Sequence, residues 1–354
     1  MKARGYAAHS ENSPLRIFDF ERRDTRGNDV AIEILYCGVC HSDVHMTRND
    51  WGSAIYPMVP GHEIVGRVLA IGTDVTRFNI GDLVGVGSMV DSCLSCVSCS
   101  KGLEQYCEVG ATYSYNAVDP RDGLTTYGGY SDKIVVSDKF VVSIPDGLDP
   151  KRAAPLLCAG ITTWSPLRHW NVGPGSKVAV IGLGGLGHMA LKFSKALGAE
   201  VTLLTRSPGK DADARRFGAD NVIVSTHTTQ MANSVGKFDL IIDTVPYQHD
   251  VNPFIPTLAV NGTLVLVGYL GPLEPALHSA PMVLKRQTVA GSFVGGIRET
   301  QEMLDFCGTH RIECDIELID IDHINDAYER LLRGDVKYRF VIDMASLSRM
   351  TRCS

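Results

Sequence analysis

Residues 176–199 read "SKVAVIGLGGLGHMALKFSKALGA", and this stretch decides the fold of the central part of the chain. A short apolar run, "KVAVI", has the continuous hydrophobicity of a strand buried on both faces. Gly182, Gly184 and Gly187 follow in G-x-G-x-x-G spacing, with Gly185 and Leu186 between them, and an apolar-periodic helix begins at once. The first glycine permits the tight turn, the second lets backbone approach a pyrophosphate, and the third lets helix and strand pack closely. The new helix then offers free N–H groups to phosphate. Strand, loop and helix in this order predict a dinucleotide site rather than a bare glycine-rich turn.

Working outward, "EVTLLTR", a polar helix, "NVIVS", "FDLIIDTV" and "GTLVLVGY" continue the alternation. Apolar strands alternating with helices predict a doubly wound parallel sheet. The preceding part is different, with short runs such as "VAIEILYCGV" and "HEIVGRVLAIG" between turn residues. It predicts a β-rich domain. From about Gly295 two amphipathic helices appear, "IRETQEMLDFCGTH" and "IDHINDAYERLLRG", then a closing strand, "YRFVIDM". In the second helix Ile321, Ile324, Ala327 and Leu331 share one face and Gly334 ends it. The expected boundaries are 1–159, 160–294 and 295–354, the last segment returning to the first domain.

The 354 residues allow two cored domains, and 44% hydrophobic and 21% charged residues suit a globular enzyme. A net charge of −6 with no basic block argues against nucleic acid or anionic membrane as a partner. No apolar run is long enough to span a membrane, and the amino-terminal residues lack a signal-peptide core. We therefore expect a cytoplasmic chain whose ten cysteines serve metals rather than disulfides.

"DSCLSCVSCSKGLEQYC" places Cys93, Cys96, Cys99 and Cys107 as C-x2-C-x2-C-x7-C. Four thiolates so close predict a closed, structural zinc site in a lobe at about 90–110. An iron–sulfur cluster is the alternative, disfavoured by the fourth spacing and the missing proline. The end of the second strand of the sheet, where an NAD site carries an acid, reads Thr205, Arg206, Ser207, with Lys210 beyond. Two cations and two hydroxyls suit a 2′-phosphate, so NADP(H) is expected over NAD(H). Residues 36–45, "YCGVCHSDVH", leave open whether Cys37 and Cys40 form a redox pair or half of a metal site.

Five motifs in order, "GVCHSDVH", "VPGHEIVG", the four-cysteine lobe, "APLLCAGITT" and "GLGGLG", resemble the zinc-dependent medium-chain alcohol dehydrogenases. The resemblance is nearest to their cinnamyl-alcohol-dehydrogenase-like aldehyde reductases and runs from near Val30 to Phe340. It implies a GroES-like catalytic domain, an inserted Rossmann domain and a homodimer joined through the nucleotide domains. It implies that Cys40, His62 and Cys158 hold a catalytic zinc, that Cys37 is a bystander, and that Glu63 can approach the metal. Asp43 would orient the imidazole, and Ser42 and His45 would relay the proton. Thr162, Val267 and Gly268 would line the nicotinamide, while Arg339 would bind the pyrophosphate or pair with Asp335. Trp51, Tyr113 and Phe293 would line the substrate cleft. The chain reads "YSYN" from Tyr113 where the lignin enzymes resemble "WSYN", so a broad range of aliphatic and aromatic aldehydes is expected. The alternatives are a polyol dehydrogenase on this fold and a non-catalytic NADPH-binding protein of the quinone-reductase type; the latter lack the three zinc ligands.

Overall fold

The computed structural model describes residues 1–349 and divides into two compact units. One comprises Met1–Cys158 with the chain from Gly295 onward, and the other is Ala159–Val294.

The first unit is built on the strand Asp29–Gly38. One edge of it pairs with Ile64–Ile71, and the other is shared by two strands. Lys133–Ser137 takes residues 29–33, and Arg339–Asp343 takes residues 36–38, both antiparallel. The first half of Asp29–Gly38 is enclosed on both faces, and Val30, Ala31 and Ile32 are all fully buried. This explains why "VAIEIL" lacks the clean alternation of a strand with one wet face. The strand Ile316–Asp320 extends the sheet beyond Arg339–Asp343. Among the described residues no helix is long and apolar enough to cross a membrane.

The predicted helices of the returning segment form at Ile297–His310 and Ile324–Leu332. Ile321, Ile324, Ala327 and Leu331 are buried together, and Gly334 takes a φ of +69° just past the helix. The longer helix depends on a distant residue for its start. Gly296 is its N-cap and has no side chain to offer, because a Cβ there would meet the Gly102 carbonyl at 1.8 Å. Glu104, from the four-cysteine lobe, accepts the Ile297 N–H at 3.1 Å instead. The carboxylate both satisfies an orphan donor and complements the helix dipole.

The second unit contains a six-stranded, all-parallel sheet. Its spatial order is Asn221–Val224, Glu200–Thr205, Lys177–Ile181, Phe238–Asp243, Leu258–Leu266, Thr288–Gly291. Five of these strands lie in the apolar runs read from the sequence. The sixth is a short, partly exposed edge strand whose "TVAG" carries too little apolar signal to stand out. The order reverses between Lys177–Ile181 and Phe238–Asp243, and the crevice beyond such a switch point is where open α/β sheets bind ligands. The helix Ala159–His169 packs on Gly187–Ala196, with the Trp164 and Phe193 rings edge-on at 5.3 Å.

Glu104→Ala should leave the fold intact and loosen the first turn of the helix Ile297–His310. Loss of such a cap costs about 1 kcal/mol, so amide exchange at Ile297 should accelerate roughly fivefold. Unchanged exchange would show that water replaces the carboxylate without loss.

Candidate metal and cofactor sites

The donor atoms of Cys40, His62, Glu63 and Cys158 all lie within 4.8 Å of one another, and all four residues are buried. They come from separate elements. Cys40 is the N-cap of the short helix His41–Thr47, and His62 and Glu63 precede the strand Ile64–Ile71. Cys158 follows the 3-10 turn Ala154–Leu157. The Cys40 and Cys158 sulfurs are 3.9 Å apart. That is far from a disulfide bond and close to the edge, about 3.8 Å, of a tetrahedron with sulfur 2.3 Å from its centre. The two thiols share a hydrogen bond that pulls Cys40 well below the usual thiol range and pushes Cys158 well above it. A divalent cation can take the place of that proton.

Asp43 organises the cluster. It is fully buried and accepts four hydrogen bonds. They come from Cys40 N–H at 2.9 Å, Gly61 N–H at 3.1 Å, the His62 Nδ1 side at 3.0 Å and the Tyr130 hydroxyl at 3.3 Å. With Nδ1–H donated to the carboxylate, His62 keeps Nε2 as its free lone pair for a metal. Glu63 presents one buried carboxylate oxygen to Arg339, and its Oε2 has no hydrogen-bond partner among the described residues. An orphaned buried acceptor beside two thiols and an imidazole fits a cation centre. Gly38 makes the room, because a Cβ there would lie 1.8 Å from Glu63 Oε2. The donor set therefore fits zinc.

Cys37 stands apart from the set. It is fully buried, and a Cβ at Gly61 or Gly129 would come within 2.9 or 2.7 Å of its sulfur. Burial pushes its thiol well above the usual range, the opposite of a reactive cysteine.

Arg339 does not pair with Asp335. Its guanidinium is fully buried on Glu63, and Asp335 is taken by Arg330 at 3.2 Å. The pairing with Asp335 is thus replaced by one with Glu63, because the strand Arg339–Asp343 lies beside Asp29–Gly38 in the core. Its Nε has no partner among the described residues. Around the site, Ser42 Oγ lies 3.7 Å from the Cys40 sulfur. His45 Nδ1 faces Asp50 at 2.7 Å, and the His45 ring lies 5.5 Å from that of Trp51. Tyr113 is partly exposed. Tyr130 on Asp43, and the buried Tyr115 ring 6.0 Å from that of His62, were not identified from the sequence. Neither has a spacing signal that could have marked it.

The second thiol group, Cys93, Cys96, Cys99 and Cys107, also has all its sulfurs within 4.8 Å. Three backbone N–H groups point at sulfur, from Cys96 to Cys93 at 3.3 Å, and from Cys99 and Glu108 to Cys96 at 3.4 and 3.5 Å. Backbone hydrogen bonds of this kind lower the Cys93 thiol to about 6. The set matches a closed four-thiolate zinc site, with space for one ion rather than a cluster.

In the other unit, Gly182 has a φ of +89°, open only to glycine at low cost. A Cβ at Gly187 would strike the Gly182 carbonyl at 2.1 Å, whereas one at Gly184 would meet nothing within 4 Å. The three glycines thus supply the turn, the open approach and the close packing. Thr205 is buried at the end of its strand, its Oγ1 accepting the Ser207 N–H at 3.1 Å, and Arg206 is exposed. Thr162 is buried in the helix Ala159–His169. Gly268 packs so closely that a Cβ would lie 2.6 Å from the Thr244 backbone, next to Val267. Phe293 is partly buried near the end of this unit.

Fold and donor sets together define a two-unit, zinc-binding dehydrogenase, an oxidoreductase acting on CH–OH donors. Residues 26–146 match the alcohol dehydrogenase GroES-like domain, and residues 185–309 match the zinc-binding dehydrogenase domain. The chain belongs to the zinc-dependent medium-chain alcohol dehydrogenases, in their cinnamyl-alcohol-dehydrogenase-like branch. It is 51% identical to the aldehyde reductase YahK of Escherichia coli over 353 residues, covering 98% of this chain and 100% of that one. A cinnamyl alcohol dehydrogenase structure from Sorghum bicolor superposes with a TM-score of 0.94 at 46% identity, covering 98% of both chains. One from Helicobacter pylori, complexed with NADP(H), gives 0.91 at 41% identity over 98% of this chain and 99% of that one.

Metal analysis should find two zinc ions per chain. Cys158→Ser should remove one ion and abolish turnover with the circular dichroism spectrum preserved, whereas Cys99→Ser should remove the other and lower solubility. Asp43→Asn should weaken metal retention at the first site about 10- to 100-fold. One zinc, or iron, in fully active protein would contradict the assignment.

Proposed function

We propose that this chain is an NADP(H)-dependent aldehyde reductase, converting aldehyde, NADPH and a proton to alcohol and NADP+, and the reverse. The observation that carries the reading is the buried Cys40–His62–Cys158 donor set with Asp43 behind its imidazole. Cys40, His62 and Cys158 would hold a zinc ion with three protein donors, the number found in catalytic rather than closed structural sites. When bound, zinc supplies Lewis acidity and the nicotinamide supplies or accepts hydride.

The chain's own residues do the rest. Cys40, Cys158 and His62 Nε2 hold the metal, and Glu63 is the reserve donor beside them, its charge balanced by Arg339. Ser42 passes a proton between the substrate oxygen and His45, which exchanges it with solvent; the Asp50 carboxylate holds the imidazole for this task. Gly182, Gly184, Gly185, Leu186 and Gly187 receive the pyrophosphate. Thr205, Arg206, Ser207 and Lys210 take the 2′-phosphate. Thr162, Val267 and Gly268 border the nicotinamide. Trp51, Tyr113 and Phe293 are the aromatic walls for an apolar substrate.

The enzyme works in the cytoplasm, where its thiols stay reduced, as a homodimer joined through the nucleotide units. Supporting the dimer, Thr288–Gly291 is an edge strand, and the helix Ser279–Lys285 buries none of its residues. Val283 and Leu284 are 77% and 84% exposed. Sedimentation should report a dimer, and Leu284→Glu a monomer; a monomeric wild type would refute it.

A substrate panel with NADPH consumption as readout should show benzaldehyde-like and medium aliphatic aldehydes reduced in preference to oxidation of polyols. Tyr113→Ala and Phe293→Ala should each cost about 1–3 kcal/mol of substrate binding; an unchanged profile would remove those rings from the pocket. NADPH should be strongly preferred. One charge-assisted contact to the 2′-phosphate contributes about 1.5–3 kcal/mol, or roughly 10- to 150-fold in affinity. Arg206→Asp should lose this and move preference toward NADH, as measured by kcat/KM with both cofactors. Equal use of NADH by the wild type would refute the cofactor assignment.

A further inference from the structure

The parallel strand Lys177–Ile181 lies between Glu200–Thr205 and Phe238–Asp243, with Ile181 in register with both Leu204 and Asp243. Thr205 and Asp243 therefore flank the glycine loop. The loop after Asp243 is fastened to the sheet end. Thr244 donates its N–H and hydroxyl to the Ile181 carbonyl at 3.1 and 2.7 Å, and Val245 N–H donates to Asp243 Oδ1 at 3.1 Å. The other oxygen of Asp243, a residue only 1% exposed, faces His249 Nε2 at 2.9 Å. His249 Nδ1 faces the Tyr247 carbonyl at 2.9 Å. Both ring nitrogens thus face acceptors, which only the doubly protonated imidazole satisfies. In keeping with this, the Asp243 hydrogen bond raises the His249 imidazole above its ordinary range.

Pinned in this way, the Tyr247 side chain reaches back to the loop after Thr205. Arg206 Nη2 donates to the Tyr247 hydroxyl at 2.8 Å, and the guanidinium carbon lies 5.8 Å from the ring centroid. The partner is unusual for this protein, with its 40 acidic residues against 34 basic ones. Among the described residues Arg206 has no carboxylate partner. A carboxylate would hold the guanidinium but neutralise it. A phenol oxygen and a ring face hold it while leaving its charge and remaining N–H donors for an anion.

We propose that Tyr247, fixed through His249 to Asp243, is the positioning residue that presents Arg206 to the 2′-phosphate and so shares in setting NADP(H) specificity. The inference rests on the NADP(H) reading above. It is tested by calorimetric binding of 2′,5′-ADP and 5′-ADP to the full chain, as wild type, Tyr247→Phe and Arg206→Ala. Tyr247→Phe keeps the ring and removes only the hydroxyl. Tyr247 acts on the phosphate only through Arg206, so its loss should cost no more than a typical net hydrogen bond, about 2- to 12-fold in binding; Tyr247→Phe should weaken 2′,5′-ADP by about that factor and leave 5′-ADP unchanged. If the wild type binds both nucleotides equally, the 2′-phosphate reading fails, and the role of Tyr247 with it. If Arg206→Ala removes the preference but Tyr247→Phe retains it in full, the reading of Arg206 stands and the role of Tyr247 is overturned. Equal weakening of both nucleotides by Tyr247→Phe would overturn it too, since Tyr247 would then serve the adenosine or the loop fold.

Discussion

The catalytic unit depends on one carboxylate. Asp43 is buried and, among the described residues, forms no ion pair with Lys or Arg; four donors converge on its two oxygens instead. Each donor belongs to a different piece of the site: the start of the Cys40 helix, the turn at Gly61, the His62 ring and Tyr130. An ionised group buried in this way is costly unless every lone pair is used. The requirement works in both directions. The pieces must hold their positions to satisfy Asp43, and Asp43 in turn sets which nitrogen of His62 is free for metal.

A second buried charge belongs to the donor cluster itself. Glu63 and Arg339 are 276 residues apart in the chain and form an ion pair sealed from solvent. Buried pairs of this kind are weak contributors to stability, because desolvation offsets their attraction. Their value here is positional and electrostatic. The guanidinium balances a buried carboxylate beside two thiols, and it ties the closing strand Arg339–Asp343 to the residues that lead into Ile64–Ile71.

The nucleotide unit solves a different problem, the approach of a doubly charged pyrophosphate to backbone. The glycines of the loop answer by what they lack. Gly187 has no room for a Cβ and Gly184 has nothing but open space in front of it, so one brings the helix close and the other leaves its amino terminus accessible. Beyond the loop, Thr205 and Asp243 end the two neighbouring strands. The parallel register sets those ends level with one another on either side of the loop.

Features confined to one or two turns of chain could be read from residue order alone. The four-cysteine spacing, the glycine loop between strand and helix, and the missing acid after the second strand each act over fewer than about twenty residues, where covalent connectivity limits geometry. The helices at Ile297–His310 and Ile324–Leu332 were legible for the same reason, since a buried face repeats every turn. The tertiary structure alone decided the long-range unions. Cys40 and Cys158 stand 118 residues apart, and only family resemblance joined them before the fold did. Tyr130 on Asp43, Arg339 on Glu63 and Tyr247 on Arg206 carried no signal, because each is an ordinary residue on its own element. Their significance comes from strand register and loop docking, which bring partners into contact across distances that sequence spacing does not constrain.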